Sequence, residues 1–285
     1  MKVIDIHVHC PVKSAPSMDD YVRTMDEFGV EAALVHAVEL KFAQPVRGND
    51  DVRRVVERHP GRLYGSGYVD LRDPVRKSIK AVERFARWGF KSVKMFPNIG
   101  FDPSDERHEP FWAAVEANGL HCLSHCGWLG FTRANDWVSS VTATPSHFEA
   151  PARRHPGINF IMGHFGGAPY YIETIVVTSR LTNFFGDVTP GWGRWVFENK
   201  MPGLRSLRFK QVLYGTDSMG KRYGEDIRWW TKTLRELGCT KEDLQNFFYN
   251  NGARILGLPE IPREAQGARA DRRKPDEMTP KKRRK

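Results

Sequence analysis

The sequence predicts an α/β protein: a closed (β/α)8 barrel with a C-terminal helix and a disordered basic tail. Three observations predict it. Eight short apolar runs alternate with segments of helical periodicity, the pattern of a parallel sheet wrapped by helices. Several of those segments carry their own start signals. Residues able to ligate a metal recur at the C-terminal ends of the apolar runs, where such barrels hold their chemistry.

Strand 3–8 opens the chain, and an amphipathic helix over 18–28 follows. Strand 32–37, helix 50–59 and strand 63–70 come next. Helix 74–88 starts at Asp73-Pro74, with Asp73 expected as N-cap and Pro74 at the first helical position. Strand 90–96 leads to helix 110–118, which Gly119 stops before strand 120–124. Helix 145–155, strand 159–163, helix 170–180 and strand 183–188 continue the alternation. A substrate loop is expected over 190–203, then strand 211–216 and helix 224–237. Thr240-Lys241-Glu242-Asp243 reads as a capping box that begins a last helix through about Leu256. No internal repeat or interdomain linker breaks the pattern. Residues 1–260 form one barrel domain, and 261–285, which lack apolar periodicity, form the tail.

The chain has 285 residues, 40% of them apolar, enough for one large core. No apolar run approaches the ~20 residues of a membrane span, and strand-like sequence starts too near Met1 for a signal peptide. Cys10, Cys122, Cys126 and Cys239 are too sparse for a disulfide framework, so reduced thiols and a cytoplasmic location are expected. The net charge of +10 suggests a polyanion partner, but its location argues otherwise. Residues 267–285 hold nine Lys or Arg and three Asp or Glu, so +6 of the +10 belongs to the tail. Nucleic acid is therefore not expected on the barrel. Lys281-Lys282-Arg283-Arg284-Lys285 matches an import signal or polyanion patch, and a solvated tail is the plainer reading.

The chemistry starts at Asp5-Ile6-His7-Val8-His9. Side chains alternate along a strand, so His7 and His9 share a face and make half a metal site. His36, Lys94, His125, His164 and Asp217 fall at or near later strand ends. Neutral imidazoles with a carboxylate suit zinc, and manganese second. Cys10 and Cys126 alternate to the opposite face and are not read as ligands. His59, His108, His147 and His155 read as surface residues.

These segments together resemble the amidohydrolase superfamily, most closely the amidohydrolase-related branch that includes aminocarboxymuconate-semialdehyde decarboxylase and several lactonases. The resemblance runs from about Met1 to Leu258. It rests on the first-strand motif above, on Leu123-Ser124-His125-Cys126-Gly127, on Ile161-Met162-Gly163-His164-Phe165-Gly166-Gly167 and on Leu213-Tyr214-Gly215-Thr216-Asp217. The stretch from Phe247 to Leu258 resembles the family's closing helix. Ser218-Met219-Gly220 departs from the aromatic residue and proline that many relatives carry after the aspartate, which alters the loop rather than the ligand.

The resemblance implies one divalent metal, zinc in preference to manganese, held by His7, His9, His125 and Asp217. His164 would stand beside the water that the metal activates. A two-metal site bridged by carboxylated Lys94, with His164 as a ligand, ranks second. Lys94 is otherwise read as a substrate-carboxylate contact or a structural ion pair. The implied reaction is hydrolysis of an amide, lactone or related C–N or C–O bond, with Asp217 taking the water's proton and His164 orienting it. The alternative is metal-dependent nonoxidative decarboxylation of an unsaturated or aromatic acid on the same groups. A metal-free binding scaffold ranks third. Substrate contacts are sought at Arg47, Arg133, Trp137 and His36, with Trp128 and Trp192, while His36 is read as packing or supporting more than ligating. The branch it resembles favours a homodimer.

Overall fold

The computed structural model describes residues 1–10, 17–37, 48–129, 138–167, 170–189, 191–204, 207, 209–218 and 222–262. Eight parallel strands lie in sequence order: β1 (Val3–His9), β2 (Val30–His36), β3 (Leu63–Tyr68), β4 (Ser92–Met95), β5 (His121–Ser124), β6 (Phe160–Met162), β7 (Phe184–Asp187) and β8 (Val212–Leu213). The ring closes beyond β8. Ile6 N donates to Tyr214 O at 3.0 Å, Asp217 N donates to His7 O at 2.8 Å, and Val8 bridges Ser218. The expected (β/α)8 barrel is therefore present.

Helices cover the outside: α1 (Met18–Phe28), α2 (Asn49–Arg58), α3 (Val75–Arg87), α4 (Glu109–Ala117), α5 (Glu149–Arg154), α6 (Tyr171–Thr178), α7 (Trp192–Glu198) and α8 (Tyr223–Glu236). Ser17 and Thr240 both close capping boxes, the latter opening α9 (Lys241–Gln245) as its sequence predicts. A single π-helical turn, Asn246–Asn250, joins α9 to α10 (Asn251–Leu256).

Two apolar layers position the site. Val3, Val35, Val93 and Phe160 pack outward against Met25, Val52, Val82 and Phe111 of the helices. Ile4, Ile6, Leu34, Leu123, Ile161, Phe185 and Leu213 pack inward with Tyr249, Ala253 and Leu256 of the closing segment. Within β1, Ile4 and Ile6 belong to the inner layer but Val8 to the outer one. The register of β1 on β2 shifts between Asp5 and Val8. Such a shift re-aims side chains at a strand end. It lets apolar residues fill the inner layer below while His7 and His9 face inward above.

Four expectations need correction. Pro74, not Asp73, is the N-cap of α3, and Asp73 instead pairs with Lys77 one turn on at 2.9 Å. The loop expected over 190–203 contains α7, whose short apolar stretch of Trp, Val and Phe is interrupted by glycine and arginine. Ile261 does not begin the tail: its N–H donates to Asn250 Oδ1, and its carbonyl accepts from Gln245 and Asn250 amides. His108 and His155 are buried rather than on the surface, His155 sitting between Glu116 and Glu109 at 2.9 and 2.8 Å. Residues 263–285 of the tail lie outside the described residues.

Candidate functional site

The C-terminal ends of β1, β4, β5 and β6 and the turn after β8 surround a cavity of about 390 Å³. His7, His9, Lys94, His125, His164 and Asp217 all line it, with Phe96, Trp128 and Trp192. His36 lies behind this wall, fully buried, its ring centroid 4.9 Å from that of His7 and 4.4 Å from that of His9. Arg47, Arg133 and Trp137 fall outside the described residues.

His7 is fixed by a residue that the sequence reading missed. Its Nδ1 donates to Asp187 Oδ2 at 2.8 Å, which leaves the Nε2 lone pair toward Lys94 Nζ at 3.0 Å and Asp217 Oδ1 at 3.3 Å. Asp187 ends β7. Its other oxygen accepts from the His164 and Thr189 backbone N–H groups and from the Thr189 hydroxyl. Burial pushes the Asp187 carboxyl up, but His7, His164 and Thr189 outweigh it and hold it at about 2. Burial, aided by Lys94, lowers His7 to about 4, so its imidazole is neutral near pH 7. An Asp ending an apolar strand, out of line with any His motif, gave no distinct signal.

Asp217 binds His9 Nε2 at 2.7 Å. Burial pushes its carboxyl up, yet His7 and His9 hold it well below the ordinary carboxylate range. Lys94 meets a neutral imidazole and the face of Phe96 at 4.9 Å, not a carboxylate. Burial lowers its ammonium to about 8.

Two site residues occupy left-handed backbone, His164 at φ 57° and Asp217 at φ 51°. Neither is glycine, so each conformation is strained and must be held by its surroundings. Asp187 and Thr189 grip the His164 N–H, and the His7 carbonyl takes the Asp217 N–H. The strain turns both side chains into the cavity.

A chain of contacts runs from Asp187 Oδ1 through the Thr189 hydroxyl (2.7 Å), His164 Nδ1 (2.7 Å), His164 Nε2, His125 Nδ1 (3.1 Å) and His125 Nε2 to the Trp128 carbonyl (3.2 Å). The two end groups only accept. With both imidazoles neutral, the hydroxyl and the two rings supply three protons for four contacts. Burial, then His164, holds His125 well below its ordinary value, so it does not supply the missing proton near neutrality. The chain thus has one contact more than its neutral groups have protons to fill, and an added proton or a cation would complete it. Beside it, one donor atom from each of His7, His9, His36 and Asp217 lies within 4.8 Å of the others. Three imidazoles and a carboxylate so gathered fit a divalent transition metal.

Residues 4–258 match the amidohydrolase family. The chain belongs to the amidohydrolase family. Its fold is also that of several solved structures. An uncharacterized TIM-barrel protein from Bordetella bronchiseptica is 18% identical, with a TM-score of 0.72 over 90% of this chain and 99% of the other. A 2,6-dihydroxybenzoate decarboxylase from Rhizobium is 16% identical, with a TM-score of 0.62 over 90% and 98%. A probable 2-pyrone-4,6-dicarboxylic acid hydrolase from Acinetobacter baumannii is 14% identical, with a TM-score of 0.57 over 90% and 100%. No curated protein matches the chain in sequence. Among its described residues, no helix is long and apolar enough to cross a membrane, and the four cysteines form no disulfide.

Proposed function

We propose that this amidohydrolase is a metal-dependent hydrolase of a small organic substrate, attacking an amide, lactone or related C–N or C–O bond with water. The observation that carries the reading is the convergence of His7, His9, His125 and Asp217, from β1, β5 and the turn after β8, on one cavity. These four would hold one divalent cation, zinc in preference to manganese, with a carboxylated Lys94 and second metal ranking behind. When bound, the cation supplies Lewis acidity and brings the pKa of water toward ~7.

The chain's own groups supply the rest. Asp217 is ionised, partly open to the cavity, and placed to take the proton of an attacking water. His164 lines the same cavity, its Nδ1 fixed by the Thr189 hydroxyl, and orients that water or steadies charge on the substrate oxygen. Asp187 keeps His7 in the tautomer with a lone pair on Nε2. Trp128 and Trp192 flank the cavity and exclude solvent around a small apolar or planar group.

A second reading, nonoxidative decarboxylation, is favoured by one observation. Lys94, buried against Phe96 in the cavity wall, offers a cation beside an aromatic face, which suits an unsaturated or aromatic carboxylic acid. The decarboxylase among the solved structures shares the barrel. Elemental analysis of the purified protein tests the metal: we expect stoichiometric divalent cation, and turnover lost on chelation and in Asp217→Ala. Mass spectrometry then separates the chemistries, since hydrolysis adds the mass of water and decarboxylation releases carbon dioxide. A protein free of metal and indifferent to chelators would overturn both readings. We further propose a cytoplasmic homodimer that acts on small molecules rather than on nucleic acid.

A further inference from the structure

His36 belongs to the donor group described above, yet the reaction proposed for the site gives it no role. It ends β2 and pairs in register with His9 of β1. It is fully buried, and its Nδ1 lies 3.4 Å from the Ala37 carbonyl, its own neighbour in the chain. That contact places the ring proton on Nδ1 and the lone pair on Nε2. Nε2 is buried and has no hydrogen-bond partner among the described residues. A buried acceptor left unmet is destabilising, so a satisfied packing histidine does not describe this residue. Its ring also contributes to the group of donor atoms, with His7, His9 and Asp217, that lie within 4.8 Å of one another.

We propose that His36 is itself a metal ligand, through Nε2, bringing a donor from β2 to the cation held by His7, His9, His125 and Asp217. The proposal rests on the metal-dependent reading above and adds a residue to it. Three observations carry it together: the convergence of donor atoms, the unmet lone pair, and a tautomer already fixed by backbone. The position is also accurately built. β1 and β2 are hydrogen-bonded neighbours, and Cys10 N donates to His36 O at 2.8 Å immediately after His9, so the two histidines are tied through backbone on the same rung of the sheet. A ligand held this way needs little reorganisation to bind.

The test uses the full-length protein loaded with zinc, in wild type, His36→Gln and His36→Asn. X-ray absorption at the zinc edge counts imidazole neighbours, and competition with a chromophoric chelator gives the dissociation constant. Thermal unfolding of the metal-free proteins confirms that the variants fold, and either amide variant suffices. We expect one imidazole fewer in the variant and affinity weaker by about 100-fold or more, beyond the ~10–100-fold that loss of a supporting residue costs. An unchanged imidazole count in a folded variant would overturn the assignment, whatever the affinity, and leave His36 a supporting group. Wild-type protein that takes up no zinc would instead overturn the metal-dependent reading as well, so the two failures are distinct.

Discussion

At the scale of single residues, the site depends on groups that hold other groups. Asp187 illustrates this. One oxygen takes the His7 Nδ1 proton and the other takes three donors around His164 and Thr189. Asparagine preserves the volume but keeps only one accepting oxygen, so Asp187→Asn must abandon one side. We expect metal affinity to fall ~10–100-fold with the fold retained, read by chelator competition and circular dichroism; unchanged affinity would show that His7 is oriented by packing alone. A second residue makes a pH prediction away from the site. Burial, with Lys91, lowers His121 to about 4 from 6.5, and its Nδ1 accepts the Asn159 N–H. The folded state therefore binds fewer protons than the unfolded chain between those values. Stability from this group is full above pH 6.5 and is lost as the pH falls toward 4, a change of about 3 kcal/mol. Urea titrations of metal-free protein at pH 4.5 and 7 should show His121→Gln losing less stability on acidification than wild type, and equal losses would refute the assignment.

At the scale of elements, the segments leaving β5 and β6 approach one another closely just beyond the cavity histidines. Gly127 and Gly167 follow the two cavity histidines and cross closely. A Cβ on Gly127 would lie 2.9 Å from the Gly167 Cα, and the reverse contact would be 2.7 Å. Both glycines also have left-handed φ, 79° and 71°. Gly127→Ala thus adds backbone strain to overpacking, and we expect a loss of about 3 kcal/mol in chemical denaturation. A cost below ~1 kcal/mol would show that the strand ends can spread. Much at this scale was legible. All eight strands, α1–α6 and α8 fall within a few residues of their expected positions, because turn residues and capping groups mark them locally. α7 was not, because its seven residues are too few to display helical periodicity and it begins beside a glycine. Asp187 and the ligating role proposed for His36 were illegible for another reason. The first is one polar residue closing an apolar strand, and the second one histidine closing another; ring closure brings Asp187 to His7, and the register of β2 on β1 brings His36.

At the scale of the whole molecule, the barrel has one weak seam. β8 contributes only two residues to the ladder, so β1 and the segment after β8 must be joined by other means. Asp5 does this. Its oxygens accept from the His7 N–H, the Thr216 N–H, the Thr216 hydroxyl and the Tyr223 hydroxyl, which also meets Tyr21 at 2.6 Å. One carboxyl therefore ties β1 to the turn that carries Asp217 and to α8, and reaches α1 through the tyrosine pair. Burial raises it to about 7, so desolvation works against this clasp even as four donors support it. Asp5→Ala would strand several buried donors at about 1–3 kcal/mol each before relaxation. We expect a net loss of about 3 kcal/mol or more, with hydrogen-exchange protection falling first at Ile6 and Asp217, whose N–H groups bridge the seam. Because Thr216 adjoins Asp217, metal affinity should fall in the same variant. Uniform loss of protection around all eight strands would mean instead that closure is shared by the whole ring, and that Asp5 is one buried polar group among many.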